Sequence, residues 1–312
     1  MPDIKEDLGQ RILEEEQLDI SIDRVDKLPS PLLVIGLGGT GSSAVHTIKQ
    51  TLARRFELPK DEHGNTIPVP EQTAYLEIDT SAKSQGALED SEFLDISIPG
   101  LEAILDLKKR DFNLTDYERK WVDRNLNSSS SGMGAGTYRQ AARFMLSRSY
   151  EKVKTRLRAL LTSIVTKKLG DTRNFGRVEI VIVTGVCGGT GSGIFLDVPQ
   201  IIRHLMASEP SLSGLKYQIT GYIVAPDISL SEPGVAGSAA LSDGLRMNGY
   251  AALKELDFWM NVGEHKTPYS MQYTDSVVIP WTRPPYDAFI LMSGTTVDGT
   301  LYAVPMCMIP YS

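Results

Sequence analysis

The 312-residue chain is predicted to adopt an α/β fold, a mostly parallel sheet with helices on both faces. Two observations predict it. Between residues 31 and 225, apolar runs of strand length alternate with stretches of helical period. Glycine-rich loops stand directly behind two of those runs and lead into helical patterns, as where a parallel strand hands the chain to a crossover helix. The composition agrees, since 41% hydrophobic and 23% charged residues are ordinary for a globular protein. The length suffices for one large domain or two modest ones.

Taken in order, residues 1–30 are acidic and helix-prone, with Ile12, Leu13 and Leu18 among Glu14, Glu15 and Glu16, and are expected as an exposed extension. Leu32-Leu33-Val34-Ile35 has the character of a buried strand. Gly36-Leu37-Gly38-Gly39-Thr40-Gly41 follows it, and a helix is expected from Ser42 to Ile48. The stretch 56–72, with Pro59 to Asn65 rich in turn formers, is an insertion before the strand Thr73–Ile78, which ends at Asp79. A second insertion, 84–130, contains Trp121 and is expected to be largely helical, with Leu101, Ile104 and Leu105 on one face. Gly132-Met133-Gly134-Ala135-Gly136-Thr137 comes next, then a helical pattern from Tyr138 to Leu146. The strand Val178–Val183 precedes Cys187-Gly188-Gly189-Thr190-Gly191-Ser192-Gly193 and a helix from Ile194 to Leu205. Another strand spans Tyr217–Val224, and the turn-rich segment after it carries Ser231-Glu232-Pro233. A long helix is expected over 242–262. Residues 263–283 read as loop around the short strand Ser276–Ile279, bracketed by Pro268, Pro280, Pro284 and Pro285, and a last strand, Asp287–Met292, ends at Gly294.

The loop at 187–193 carries the most chemistry. Four of its seven residues are glycine. Glycine lets a diphosphate approach the backbone and reaches positive φ angles that turn successive N–H groups inward. The following helix adds its unpaired N–H groups and the positive end of its dipole, and Thr190 and Ser192 add hydroxyls. A side chain at Gly191 is expected to intrude on the phosphate. The loop lacks the Lys-Ser/Thr of a Walker motif, since Gly193 is followed by Ile194 and Phe195. The first loop, 36–41, also fits a dinucleotide-binding fingerprint, which wants an acidic residue about 20 positions on. Here Asp79 lies more than 30 residues beyond Gly41.

These loops, in this order, resemble the nucleotide loops of the tubulin/FtsZ superfamily. Residues 187–193 resemble its signature of a small residue, GGTG, a second small residue and Gly, with Cys187 in the first small position. Residues 36–45 resemble GxGGxGxNAV, with Ser43 where that family carries an Asn that contacts the base. Residues 132–137 resemble a loop that faces the terminal phosphate, with Thr137 in place of Asn. The resemblance implies a tubulin/FtsZ-type, Rossmann-like nucleotide-binding domain over 31–241, a central helix at 242–262, and the start of a second, reduced or truncated domain over 263–312. It implies GTP or GDP with Mg²⁺ as ligands. Gly36, Gly38, Gly39, Thr40, Gly41, Ser43, Thr80, Gly134, Ala135, Gly136, Thr137 and residues 187–193 would contact the nucleotide, and Asp79 the metal. Glu232 would contact the ribose and Asn248 the purine edge. It also implies head-to-tail self-association, with hydrolysis completed by an acidic loop of the next subunit. That loop's pattern, Asn-x-Asp-x-x-Asp/Glu, does not occur; Asn261-Val262-Gly263-Glu264 is the nearest echo, and GTPase activity stays open.

Three readings follow: a self-assembling GTP-binding cytoskeletal or scaffold element, a non-polymerising nucleotide switch on the same fold, and a dinucleotide enzyme using the first loop. A net charge of −7 speaks against sequence-independent nucleic-acid binding. The two cysteines, Cys187 and Cys307, form no disulfide framework and suit a cytoplasmic setting, and the four histidines show no metal-ligand spacing. No apolar run reaches the length of a membrane span.

Overall fold

A computed structural model describes residues 30–55, 73–81, 88–98, 114–122, 135, 137–166, 177–231, 238–264 and 268–294. Its frame is a six-stranded, wholly parallel sheet. The strands are β1 (Leu32–Leu37), β2 (Thr73–Asp79), β3 (Phe93–Asp95), β4 (Val178–Gly185), β5 (Tyr217–Val224) and, at the far edge, β8 (Ala288–Met292). Their order is β3-β2-β1-β4-β5-β8. β6 (Tyr269–Gln272) and β7 (Val278–Trp281) form a separate antiparallel hairpin.

The parallel sheet with helices on both faces follows from the period-two alternation of the central strands. Leu33, Ile35 and Leu37 of β1, with Leu76 and Ile78 of β2, turn to one face. There they meet Val153, Leu157, Leu161 and Ile164 of α4 (Tyr150–Thr166). Ile201, Ile202 and Leu205 of α6 (Asp197–Ser208) join the same core. Val34 of β1 and Tyr75 of β2 turn to the opposite face, against Val45, Ile48 and Leu52 of α1 (Gly38–Arg55). The other helices are α2 (Glu118–Trp121), α3 (Arg139–Arg148), α5 (Thr190–Ile194), α7 (Pro226–Leu230) and α8 (Ala239–Met260).

Four features differ from expectation. α1 and α5 begin inside their glycine loops, at Gly38 and Thr190, so several motif glycines belong to first helical turns. β3 lies within the span expected as a helical insertion; among the described residues it pairs only with β2, over three residues. The loop-like stretch after residue 263 contains the hairpin, with β7 two residues further on than the expected strand Ser276–Ile279. The helix expected at 242–262 runs from Ala239 to Met260 behind the N-cap Ser238, and the chain after it returns to the first sheet as β8, parallel to β5. α8 is therefore a crossover within the sheet, and the sheet extends past residue 241 to Met292. The extension 1–29, the insertion 56–72 and Leu101, Ile104 and Leu105 lie outside the described residues.

Candidate functional site

The strand order reverses direction between β1 and β4: the chain steps outward to β2 and β3 on one side and to β5 and β8 on the other. In open α/β sheets the crevice at such a switch point, beyond the carboxyl ends of the strands, is where ligands bind. Both strand-following glycine loops stand there. Gly38, at φ +66°, adopts the left-handed conformation that starts α1, and a Cβ on it would lie 2.7 Å from the Gly191 nitrogen. A Cβ on Gly191 would lie 2.6 Å from Thr184 Oγ1 and 2.8 Å from the Leu37 carbonyl oxygen. One on Gly41 would lie 2.4 Å from the Val183 carbonyl oxygen, and one on Gly36 2.3 Å from that of Gly41. One on Gly193 would lie 2.4 Å from the Arg139 carbonyl oxygen. These glycines let backbone pack on backbone. Gly39 and Gly188 behave differently, since a Cβ on either would meet nothing within 4 Å.

At the end of β2, Asp79 is 8% exposed and Thr80 2%. Thr80 Oγ1 accepts from the Ala135 amide at 2.9 Å and lies 2.6 Å from Thr190 Oγ1. One buried hydroxyl thus ties the end of β2, the segment before α3 and the start of α5. The Asp79 carboxylate accepts from the Thr80 amide at 2.6 Å. Burial pushes its pKa up, partly offset by hydrogen bonds to the Thr80 and Ser81 amides and the Thr190 hydroxyl. Two residues earlier, Glu77 is buried and also pushed up by desolvation, with His46 of α1 3.3 Å away.

Asn248 of α8 closes the arrangement. Its side-chain amide donates to the Thr137 carbonyl at 2.7 Å and to the Cys187 carbonyl at 2.9 Å. Arg139 donates to the Ser192 carbonyl and pairs with Glu255 of α8.

The structure therefore brings together Gly36, Gly38, Thr40, Gly41, Asp79, Thr80, Ala135, Thr137, Cys187, Thr190, Gly191 and Asn248. Thr40 sits under Gly185, where its Oγ1 is 2.7 Å from an added Cβ. Gly189 precedes α5, and its carbonyl accepts from the Gly193 amide at 3.0 Å. Ser43 is exposed on the second turn of α1. Gly134, Gly136 and Glu232 lie outside the described residues.

Three details correct the expected chemistry. The Ser192 hydroxyl donates to the Gly188 carbonyl within its own loop, so it holds the loop rather than presenting a free donor. Both N–H bonds of Asn248 are engaged by backbone carbonyls, which leaves Oδ1 rather than the whole amide for a purine edge. A side chain at Gly191 would strike Thr184 and the backbone oxygens of Leu37 and Gly185. The sequence reading missed Arg139, Glu77 and His46. Arg139 had a local signal, as a cation on the first turn after a glycine loop; the burial of Glu77 against His46 had none.

Among the described residues no group of three His, Cys, Asp or Glu could hold a metal, and no helix is long and apolar enough to cross a membrane. Comparison with curated proteins finds no match. Among solved structures, CetZ from Methanosaeta thermophila strain DSM 6194 is similar at 13% identity and a TM-score of 0.43, over 86% of this chain and 48% of that one. TubZ of Bacillus thuringiensis serovar israelensis, in a GTPγS-form protofilament, is similar at 14% identity and a TM-score of 0.44, over 87% of this chain and 50% of that one. The chain spans about half the length of these structures. The family model described as "Tubulin like" matches residues 33–304, which takes in all but the first residue of the sheet and both strand-following glycine loops of the switch point, and the chain belongs to this tubulin-like family.

Proposed function

We propose that the chain binds a guanine nucleotide with Mg²⁺ at the β1/β4 switch point. The observation that supports this most is the contrast between packed and open glycines. The packed ones bring the two loops together; Gly39 and Gly188 leave backbone uncovered beside them. α1 starts at Gly38, so its first N–H groups and its dipole stand ready for phosphate at the same place.

The residues also suit a bound Mg²⁺. This ion keeps several waters and takes one or two protein carboxylates besides phosphate oxygens. Asp79 is such a carboxylate, and burial has raised the energy of its charged form. A divalent cation would restore the balance and would supply charge neutralisation at the phosphates. Thr80 and Thr190 hold Asp79 in place. Asn248 fixes the spacing of two loops, with Oδ1 left for the base. Guanine specificity and head-to-tail assembly come from the family resemblance of the loops.

The dinucleotide reading retains one observation in its favour. The order β3-β2-β1-β4-β5-β8 is also that of dinucleotide-binding sheets, and Asp79 ends the strand that carries their ribose-binding acid. Calorimetry with GTP, GDP, ATP and NAD, with and without Mg²⁺, separates the two. The expected outcome is guanine-nucleotide binding that tightens with Mg²⁺ and no NAD binding. Preference for NAD would overturn the proposal. Sedimentation with GTP then tests assembly.

A further inference from the structure

Arg139 is the first residue of α3, behind the N-cap Tyr138, and no acidic residue stands in that first turn. A cation there opposes the helix dipole, so α3 itself gives no reason for it. Its partners do. Nε and Nη2 donate to the Ser192 carbonyl at 3.2 Å and 3.0 Å. The other edge of the guanidinium, Nη1 and Nη2, donates to the two carboxylate oxygens of Glu255 on α8, Nη1 lying 3.1 Å from Oε1. Four of the five N–H bonds of one rigid fork are thus engaged between two elements.

Ser192 lies in the last turn of α5, where carbonyls have no intrahelical partner. The neighbouring Gly193 has no room for a side chain: a Cβ would lie 2.4 Å from the Arg139 carbonyl oxygen and 2.8 Å from Ala142 Cβ. The start of α3 is therefore the rear wall of the loop 187–193. At its front end the same loop is held by Asn248, which donates to the Cys187 carbonyl. Asn248 and Glu255 stand two turns apart on α8, so they share a face and are separated by about 10 Å. α8 thus holds the loop at both ends, at one through its own amide and at the other through Arg139. The open glycine, Gly188, lies between the two held points.

We propose that Arg139 is a positioning residue for the phosphates of a bound nucleotide. Through the Ser192 carbonyl and Glu255 it fixes the rear of the loop, so that the backbone around Gly188 stands in place before the ligand arrives. The assignment rests on the nucleotide reading above and adds to it a side chain that acts through the loop. Arg148, at the far end of α3 and about 13 Å along its axis, supplies the comparison, since it makes the same kind of fork with Glu118 of α2.

The test is calorimetry and phosphorus NMR with GDP and Mg²⁺. Arg139→Lys keeps the charge and the stem but cannot present two parallel edges. It should weaken GDP binding about threefold to tenfold and, at saturating GDP, move the bound phosphate resonances away from their positions in the parent. Arg148→Lys should lower the melting temperature at least as far and leave affinity and resonances as in the parent. Where Arg139→Lys does not fold, Glu255→Gln takes its place; it retains Arg139, and should move the same resonances with a smaller loss of affinity. Parent-like affinity and resonances in the tested variant would overturn the assignment and leave the nucleotide reading standing. Equal changes in Arg148→Lys would do the same, by tracing the effect to overall stability. Absence of GDP binding by the parent would overturn the nucleotide reading and the assignment together.

Discussion

Gly191 and Gly188 stand three residues apart in one loop and are glycine for opposite reasons. At Gly191 the neighbouring chain occupies the place of a Cβ, with three protein oxygens under 3 Å away. At Gly188 that place is empty to 4 Å. The first loop repeats the contrast, with Gly41 packed on Val183 and Gly39 open. Glycine density at a switch point thus has two sources, the closeness of two loops and the exposure of backbone to a ligand. Only the second concerns binding directly.

The largest expected effect is at the packed positions. Gly41→Val and Gly191→Val should each cost about 1–3 kcal/mol or more through overpacking against backbone. In a chain of this size that lowers the melting temperature by about 2–12 °C, and any loss of GTP binding should track that loss of fold. Gly188→Val should do the reverse, leaving the melting curve in place while GTP affinity falls more than about tenfold, the class of loss one misplaced group causes. Equal destabilisation of Gly188→Val and Gly191→Val in thermal melts would erase the comparison.

Asp79→Asn sharpens it from the side of charge. Burial raises the Asp79 pKa above its unfolded value, so the folded state holds this proton longer. The apo protein's stability from this group is therefore full below the unfolded carboxyl pKa, falls as pH rises through the interval up to the raised value, and is lowest above it. The Asn variant should melt higher than the parent at neutral pH without Mg²⁺, and the difference should vanish in acid below the unfolded pKa. It should also lose the Mg²⁺ dependence of nucleotide affinity. Melting curves across pH, with and without Mg²⁺, check both. The smallest effect is expected for Asn248→Ala, which removes two hydrogen bonds worth about 0.5–1.5 kcal/mol each. Nucleotide affinity should fall modestly, and Asn248→Asp, placing a carboxylate against two carbonyls, should fall further.

The parallel sheet and the approach of its loops were legible because their signals are local: apolar runs of strand length, and glycines where backbone had to come close. β3 was not legible, since three residues paired on one side carry little pattern of their own. The β6–β7 hairpin was hidden by Pro280, which reads as a breaker although it sits in β7. The return of the chain to the sheet as β8 was hidden for a different reason: a strand shows that it is a strand but not which neighbour it joins. Side-chain roles failed in the same way. Ser192 and Asn248 stand at the site, but whether their donors face a ligand or a carbonyl depends on partners up to 111 residues away.

The Asn248 amide joins carbonyls from residues 137 and 187, so two segments remote in sequence share one support on α8. Segments tied in this way open together rather than singly. In hydrogen exchange, the amides just after Thr137 and just after Cys187 should report one opening event with one free energy, and cutting the support should split it into two.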